Sequence, residues 1–222
     1  MSRVLCLHGL GGTGATMWTI VAACIDAGCT TLAPTLPGHG TDPADLTGIT
    51  WDDWMEAARA WDADFVVGQS MGAALALQLA AEGRARGVVC INPIASNPDA
   101  LEGLEWRRSR GQSWIEVEPD ALEEIAYSRL PIQALIEMNK GVDAIDLSVV
   151  EQPVLLITSA NDAIVDPASS DVIAAALPRP PARLSLARSG HVATLDVERD
   201  LVQRAVIEFV SGSTGSRPTR GR

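Results

Sequence analysis

Short apolar runs alternate with longer segments of helix-forming residues along most of the chain. Six such runs are typical of strands buried on both faces of a parallel sheet, namely 3–7, 29–33, 65–67, 87–92, 153–158 and 182–186. Helices are predicted between them, at about 16–27, after Thr50 as N-cap, from Met71, at 168–177 and at 197–210. The alternation predicts an α/β fold, a mostly parallel sheet of about six strands with helices on both faces.

This rhythm stops between Pro93 and Gln152, where charged residues are frequent. About sixty residues are too many for a simple connection, and the pieces 121–127 and 131–139 have helical patterns. We therefore expect a small helical cap inserted into the core. The expected division is core at 1–95 and 151–211, cap at 96–150, and a disordered, Ser- and Gly-rich tail at 212–222.

Composition indicates a globular protein with one substantial domain: 222 residues, 47% hydrophobic and 20% charged. The formal net charge of −11 argues against a partner that is nucleic acid or an anionic membrane surface. No run approaches about 18 apolar residues, and the first apolar run is too short for a signal peptide, so we expect no membrane span and no leader. We expect a cytoplasmic monomer or homodimer with a small-molecule substrate.

Cysteines and histidines give no sign of a metal or a cofactor, and we expect neither. The four cysteines stand in apolar settings without CxxC spacing, which is typical of reduced thiols in a cytoplasmic protein. The three histidines lie far apart in the sequence, so no metal-ligand cluster is expected.

The segment Gly68-Gln69-Ser70-Met71-Gly72 carries the main chemical signal. It is a G-x-S-x-G motif between an apolar strand and a run of strong helix formers. In such a turn the serine takes a strained backbone conformation that exposes its hydroxyl, and the glycines avoid collisions with neighbouring backbone. The following helix directs its positive end towards the same point. The arrangement suits nucleophilic attack on a carbonyl.

A serine nucleophile needs a base and an orienting carboxylate. His191 follows the last predicted strand, whereas His8 ends the first strand and His39 stands in a turn-rich loop, so we expect His191 to be the base. Asp162 follows the strand at 153–158, where open α/β sheets place functional groups. Asp166 precedes Pro167 and is the second candidate, with a pattern more typical of a helix cap.

An oxyanion hole needs two N–H donors. Met71 is one by its position after the serine. The glycine-rich loop after the first strand, Gly9-Leu10-Gly11-Gly12, lets backbone approach a ligand, and Leu10 is the expected second donor. A phosphate cradle is the alternative for this loop, but its spacing and the absence of an acidic residue about 20 positions later do not fit a dinucleotide site.

Taken together, these motifs identify a resemblance that spans nearly the whole chain. The segments that carry it are His8-Gly9-Leu10-Gly11-Gly12, Leu36-Pro37-Gly38-His39-Gly40, Gly68-Gln69-Ser70-Met71-Gly72, Asp162 with Ile164-Val165, and Gly190-His191. The chain resembles α/β-hydrolases, in particular the small bacterial carboxylesterase and monoacylglycerol-lipase-like branch. The resemblance implies a Ser70–Asp162–His191 triad and oxyanion donors at Leu10 and Met71. The first predicted strand begins at residue 3, which departs from the family, and we therefore expect a sheet trimmed of the two leading strands of the full fold. Gln69 departs from the family, in which histidine is frequent at that position.

The cap determines the substrate. Its apolar residues, among them Trp106, Trp114 and Met138, are candidates for a substrate pocket, and each is equally explained as cap core. We expect a serine hydrolase that cleaves carboxylic esters with an apolar acyl chain through an acyl-enzyme. The alternatives are a thioesterase or acyltransferase on acyl-thioesters and a non-catalytic ligand-binding protein on the same scaffold.

Overall fold

The computed structural model describes residues 1–118 and 124–212. Its strands are β1 (Arg3–Leu7), β2 (Thr30–Leu32), β3 (Phe65–Gln69), β4 (Gly87–Ile91), β5 (Trp114–Glu116), β6 (Arg129–Pro131), β7 (Val154–Ser159) and β8 (Ala182–Leu186). Its α-helices are α1 (Trp18–Asp26), α2 (Trp51–Arg59), α3 (Met71–Ala81), α4 (Pro98–Ser109), α5 (Ile132–Asp143), α6 (Ser169–Ala176) and α7 (Arg199–Gly212). No helix in these two ranges has the length and apolarity needed to cross a membrane.

Six strands form one sheet in the order β2-β1-β3-β4-β7-β8, and every neighbouring pair is parallel. The predicted parallel sheet of about six strands is therefore confirmed. Because all six strands run in the same direction, their carboxyl ends meet at one edge. The segments that follow β1, β3, β4, β7 and β8 are brought together there.

The sheet separates two hydrophobic cores because alternate residues of a strand point to opposite faces. In β1, Val4 and Cys6 pack on the face covered by α1 and α7, together with Phe65 and Val67 of β3. The intervening positions pack on the face covered by α2, α3 and α5, and they are Leu5, Leu7, Val66, Val88, Cys90 and Leu156. Burial on both faces explains why these strands have continuous apolar runs rather than alternating patterns.

Helix α2 begins at the predicted N-cap and packs through its tryptophans. The Thr50 side chain accepts a hydrogen bond from Asp53 N, and the Asp53 carboxylate accepts one from Thr50 N at 2.8 Å. Trp54 is fully buried, and its Nε1 donates to Pro37 O at 3.1 Å. A Cβ on Gly141 of α5 would lie 1.9 Å from the Trp51 ring, so this glycine permits α2 and α5 to pack closely.

The connection from β4 to β7, residues 92–153, contains α4, the antiparallel pair β5–β6 and α5. The helix predicted at 131–139 is confirmed, since α5 covers 132–143. The helix predicted at 121–127 is wrong at 124–127, which are not helical, and 121–123 lie outside the described residues. The backbone here bonds elsewhere: Tyr127 N donates to Gly11 O and Val117 N to Ser128 O, both at 2.9 Å. These tertiary bonds override the local helical preference.

Two helices, α4 and α7, differ from the sequence prediction. Helix α4 was not predicted, although Asn97 accepts a hydrogen bond from Ala100 N and Pro98 stands at its first position, a recognisable start signal. Its apolar periodicity is weak because none of its side chains is buried against the core, and the sequence therefore shows no helical pattern here. Helix α7 extends to Gly212, and residues 213–222 of the predicted tail lie outside the described residues.

Candidate active site

Ser70 occupies a strained turn between β3 and α3. Its backbone has φ 55° and ψ −118°, a conformation that costs free energy for a residue with a Cβ. A Cβ on Gly68 would lie 2.1 Å from Gly72 O, and one on Gly72 would lie 2.1 Å from Leu7 O. Both glycines are therefore required for this close approach, as the motif predicted. The Ser70 side chain is held at the carboxyl edge of the sheet.

Two backbone segments lie beside Ser70, the first turn of α3 and the loop after β1. The first hydrogen bonds of α3 are donated by Ala73 N and Ala74 N to Ser70 O, so Met71 N–H precedes the intrahelical bonding. On the other side, a Cβ on Gly9 would lie 3.2 Å from Ser70 Cβ and 3.7 Å from Ser70 Oγ. The loop that carries Leu10 therefore passes directly beside the serine.

The loop after β1 forms a turn of defined orientation. Gly12 N donates to Gly9 O at 3.2 Å, and Gly11 has φ 82°, which a type II turn requires at its third position. His8 Nδ1 also donates to Gly9 O, at 2.8 Å. The C=O and N–H of one trans peptide point in opposite directions. Because both donors fix Gly9 O, they also fix the direction of Leu10 N–H.

His8 and His39 are buried and committed to backbone bonds. His8 Nε2 accepts from Leu36 N at 3.0 Å, so its ring is neutral with the proton on Nδ1. Burial, and next the neighbouring His39, lower the pKa of His8 to about 3. His39 Nδ1 donates to Pro37 O at 2.9 Å, and burial lowers its pKa as well. His39 Nε2 is buried and has no hydrogen-bond partner among the described residues. The orienting role of His8 was missed from sequence.

His191 and Asp162 form a hydrogen-bonded pair. His191 Nδ1 lies 2.7 Å from Asp162 Oδ2, and the two side chains are 9% and 2% exposed. Asp162 Oδ1 accepts from Ile164 N at 2.9 Å and Val165 N at 2.8 Å. The carboxylate is thus held by its own loop, and it fixes the histidine tautomer with Nδ1 as donor. Nε2 is then the basic nitrogen.

Asp166, the second candidate for the acid, has another role. Its Oδ1 accepts from Ala168 N at 2.9 Å, and its carbonyl accepts from Ser169 N at 2.8 Å. These bonds stabilise the turn that leads into α6. The structure therefore brings Asp162, and not Asp166, to His191.

The loop that leads to His191 is held by two carboxylates at the start of α7. Glu198 accepts from Ala187 N, Arg188 N, Ser189 N and Ser189 Oγ at 2.9–3.2 Å. Asp196 Oδ2 accepts from Gly190 N at 2.7 Å. The Arg188 amide foremost, with the Ser189 hydroxyl and the other amides, lowers the pKa of Glu198 to about 2. No pattern in the sequence indicated that these two carboxylates hold the loop before His191.

The predicted pocket residues occupy three different places. Trp106 is 60% exposed, with the Arg110 guanidinium 5.4 Å from its ring centroid, and the Trp114 ring lies 4.5 Å from the Arg129 guanidinium. Met138 is buried and lines a cavity of about 390 Å³ between α5 and the loop before α6. A smaller cavity of about 70 Å³ adjoins His191, and its lining includes Leu10, Tyr127, Leu130 and Ile164. The structure brings Leu10 and His191 to this cavity, but neither tryptophan.

Comparison with known proteins places this geometry in a family. A family model described as "Alpha/beta hydrolase family" matches residues 4–204. The thermostable monoacylglycerol lipase of Bacillus sp. (strain H-257) is 29% identical over 228 residues, which cover 96% of this chain and 91% of that protein. The carboxylesterase of Bacillus subtilis (strain 168) is 24% identical over 227 residues, covering 93% and 91%.

A solved structure also shares this fold. It comes from work on LipS and LipT, two metagenome-derived lipolytic enzymes, and has a TM-score of 0.85 at 30% identity, covering 95% of this chain and 93% of that one. The range matched by the family model contains Ser70, Asp162 and His191. The predicted resemblance is confirmed. The chain belongs to the alpha/beta hydrolase family, and its relatives include a carboxylesterase and a monoacylglycerol lipase.

Proposed function

We propose that the chain is a serine hydrolase that cleaves carboxylic esters with an apolar acyl chain. The observation that carries the proposal is the 2.7 Å bond between His191 and Asp162 at the sheet edge where the strained Ser70 stands. A nucleophile, a base and an orienting carboxylate are the components of acyl transfer to serine. The names of the lipolytic relatives agree with this chemistry.

In the proposed mechanism, His191 Nε2 takes the proton from Ser70 Oγ as that oxygen attacks the ester carbonyl. The resulting oxyanion accepts hydrogen bonds from Leu10 N–H and Met71 N–H. His191 then gives its proton to the departing alcohol, which leaves an acyl-enzyme. Water, deprotonated by His191, attacks the acyl carbonyl and releases the acid. Asp162 stabilises the imidazolium that forms in each half-reaction.

Two cavities support an apolar acyl chain. Ile164 lines both the cavity beside His191 and the larger cavity at Met138, and we propose that the acyl chain passes this residue from one cavity to the other. Leu135, Ile94 and Val172 add further apolar lining to the larger cavity. We propose that the segment 96–150 acts as a cap over this path, with Met138 as its substrate-contacting residue.

The test is a p-nitrophenyl ester series from C2 to C16, measured with wild type and Ser70→Ala. We expect one chain length to give the highest kcat/KM and Ser70→Ala to lose at least about 10³-fold in kcat. Met138→Trp should move the optimum to shorter chains because the larger ring fills the cavity. Circular dichroism of each variant establishes that the fold is retained.

Three other results would change or contradict the proposed function. Absence of turnover at every length, with Ser70 still labelled by a fluorophosphonate, would replace the ester by another acyl donor such as a thioester. Absence of both turnover and labelling would contradict a serine hydrolase. A chain-length optimum unchanged in folded Met138→Trp would remove this cavity from the proposed acyl path.

A further inference from the structure

Asn92 stands at the carboxyl end of β4, next to the candidate active site, and the mechanism above does not use it. It is 2% exposed and has φ 45°, a left-handed conformation that asparagine tolerates better than most residues. Glycine would adopt this conformation with less strain but would supply no side chain. The asparagine therefore supplies what glycine cannot, a side-chain amide at this position.

The amide bonds two segments that carry proposed catalytic residues. Its Oδ1 accepts from Ser159 N at 2.7 Å, at the end of the strand that leads to Asp162. Its Nδ2 lies 2.8 Å from His191 O, 3.2 Å from Gly190 O and 3.0 Å from Ser159 Oγ. One planar group thus joins the acid-bearing strand to the histidine residue itself.

The backbone on either side of this group extends the connection to the nucleophile. Ser70 N donates to Ile91 O at 2.9 Å, and Asn92 N donates to Ile157 O at 2.8 Å. The end of β4 therefore contacts all three segments of the proposed triad. A shift of the Asn92 amide would move the backbone on both sides of the His191–Asp162 bond.

We infer that Asn92 is a positioning residue that sets the geometry of His191 and Asp162 relative to Ser70. The inference rests on the proposed function, because its effect is exerted on that triad. An aspartate at this position would keep the shape and the acceptor for Ser159 N. It would lose both N–H donors of the amide and place a carboxylate oxygen against the carbonyl oxygens of Gly190 and His191.

The test compares Asn92→Asp and Asn92→Gly with Ser170→Ala. The control removes a partly buried hydrogen bond of β7, between Thr158 Oγ1 and Ser170 Oγ at 2.7 Å, that involves no residue of the histidine loop. We expect both Asn92 variants to lose about 10²-fold in kcat with KM within about threefold of wild type, because small displacements of catalytic groups have large effects on rate. Ser170→Ala should stay within about twofold. Ser159→Ala should also cost little, because its backbone N–H still bonds Asn92.

A double-mutant cycle with Asp162→Asn separates positioning from stability. If Asn92 acts through the His191–Asp162 pair, Asn92→Asp should cost less than about fivefold in the Asp162→Asn background. A loss equal to that in wild type would overturn the inference, as would a folded Asn92→Gly with wild-type kcat. If Asn92→Asp fails to fold, the kcat of Asn92→Gly tests the inference.

Fluorophosphonate labelling of Ser70 distinguishes this failure from failure of the proposed function. Labelling is a measure of serine activation that needs no ester substrate. We expect wild type and Ser170→Ala to be labelled at similar rates and Asn92→Gly about 10²-fold more slowly. Equal rates would overturn the role of Asn92 alone. A wild type that is neither labelled nor active on any ester would overturn the proposed function and this inference with it.

Discussion

The two sides of the candidate site are built differently. On the histidine side, the buried Asn92 amide and the carboxylates of Glu198 and Asp196 fix the backbone. Together they form hydrogen bonds with the backbone of residues 187–191. On the side of the segment 96–150, α4 buries no side chain and Trp106 is 60% exposed. Contact with the core there includes Tyr127, whose N–H and hydroxyl bond Gly11 O and Gly38 O.

This difference matches the demands of the proposed chemistry. Proton transfer between a serine and a histidine requires positions held to a fraction of an ångström, so the histidine segment needs many short bonds. Substrate entry and fit to an acyl chain tolerate, and often need, elements of lower local stability. Mutations on the histidine side should therefore act on kcat, and mutations on the other side on KM. The following predictions test that division.

The largest effect is expected at Asp162. Asp162→Asn keeps the shape but presents an amide to His191 Nδ1, so the tautomer with a basic Nε2 is no longer favoured. We expect kcat to fall by about 10⁴-fold. Asp166→Asn should change kcat by less than about twofold, since asparagine also stabilises a helix start. Steady-state kinetics on both variants check this, and equal losses would mean that the acid is wrongly assigned.

A smaller, pH-dependent effect is expected at Glu198. Its pKa is about 2 in the folded chain and about 4.3 in an unfolded one, so its stabilisation is fully present above about pH 4.3. It is lost as the pH falls towards about 2. Glu198→Gln should therefore lower Tm at pH 7, and the two Tm curves should converge between about pH 4 and pH 2. Thermal unfolding across this range is the measurement; a constant difference would contradict the role of the carboxylate.

The sheet and the segments that carry the proposed triad could be predicted from sequence because their signals are local. A continuous apolar run indicates a strand that is buried on both faces. The glycines at 68 and 72 indicate that neighbouring backbone lies too close for a Cβ. Glu198 and Asn92 could not be predicted, because their partners lie 9–11 and 67–99 residues away.

The same reason explains the error at 124–127. Local helical preference there is weaker than the hydrogen bond from Tyr127 to Gly11, which joins residues that no short pattern relates. The pocket tryptophans illustrate a second limit. Apolar composition marks a side chain that can be buried, whereas Trp106 lies on an exposed helix beside Arg110.

The smallest effect is expected at Tyr127, on the substrate side. Tyr127→Phe keeps the stack on His39 and the backbone bond to Gly11, but it removes the hydroxyl that donates to Gly38 O and accepts from Thr41 N. Because Tyr127 lines the cavity beside His191, we expect the loss of these two hydrogen bonds to raise KM about fivefold, or about 1 kcal/mol, with kcat within about twofold. Trp106→Phe, on exposed α4, should leave both constants unchanged. A fall in kcat with unchanged KM for Tyr127→Phe would show that this side also positions the reacting groups, and the division between the two sides would not hold.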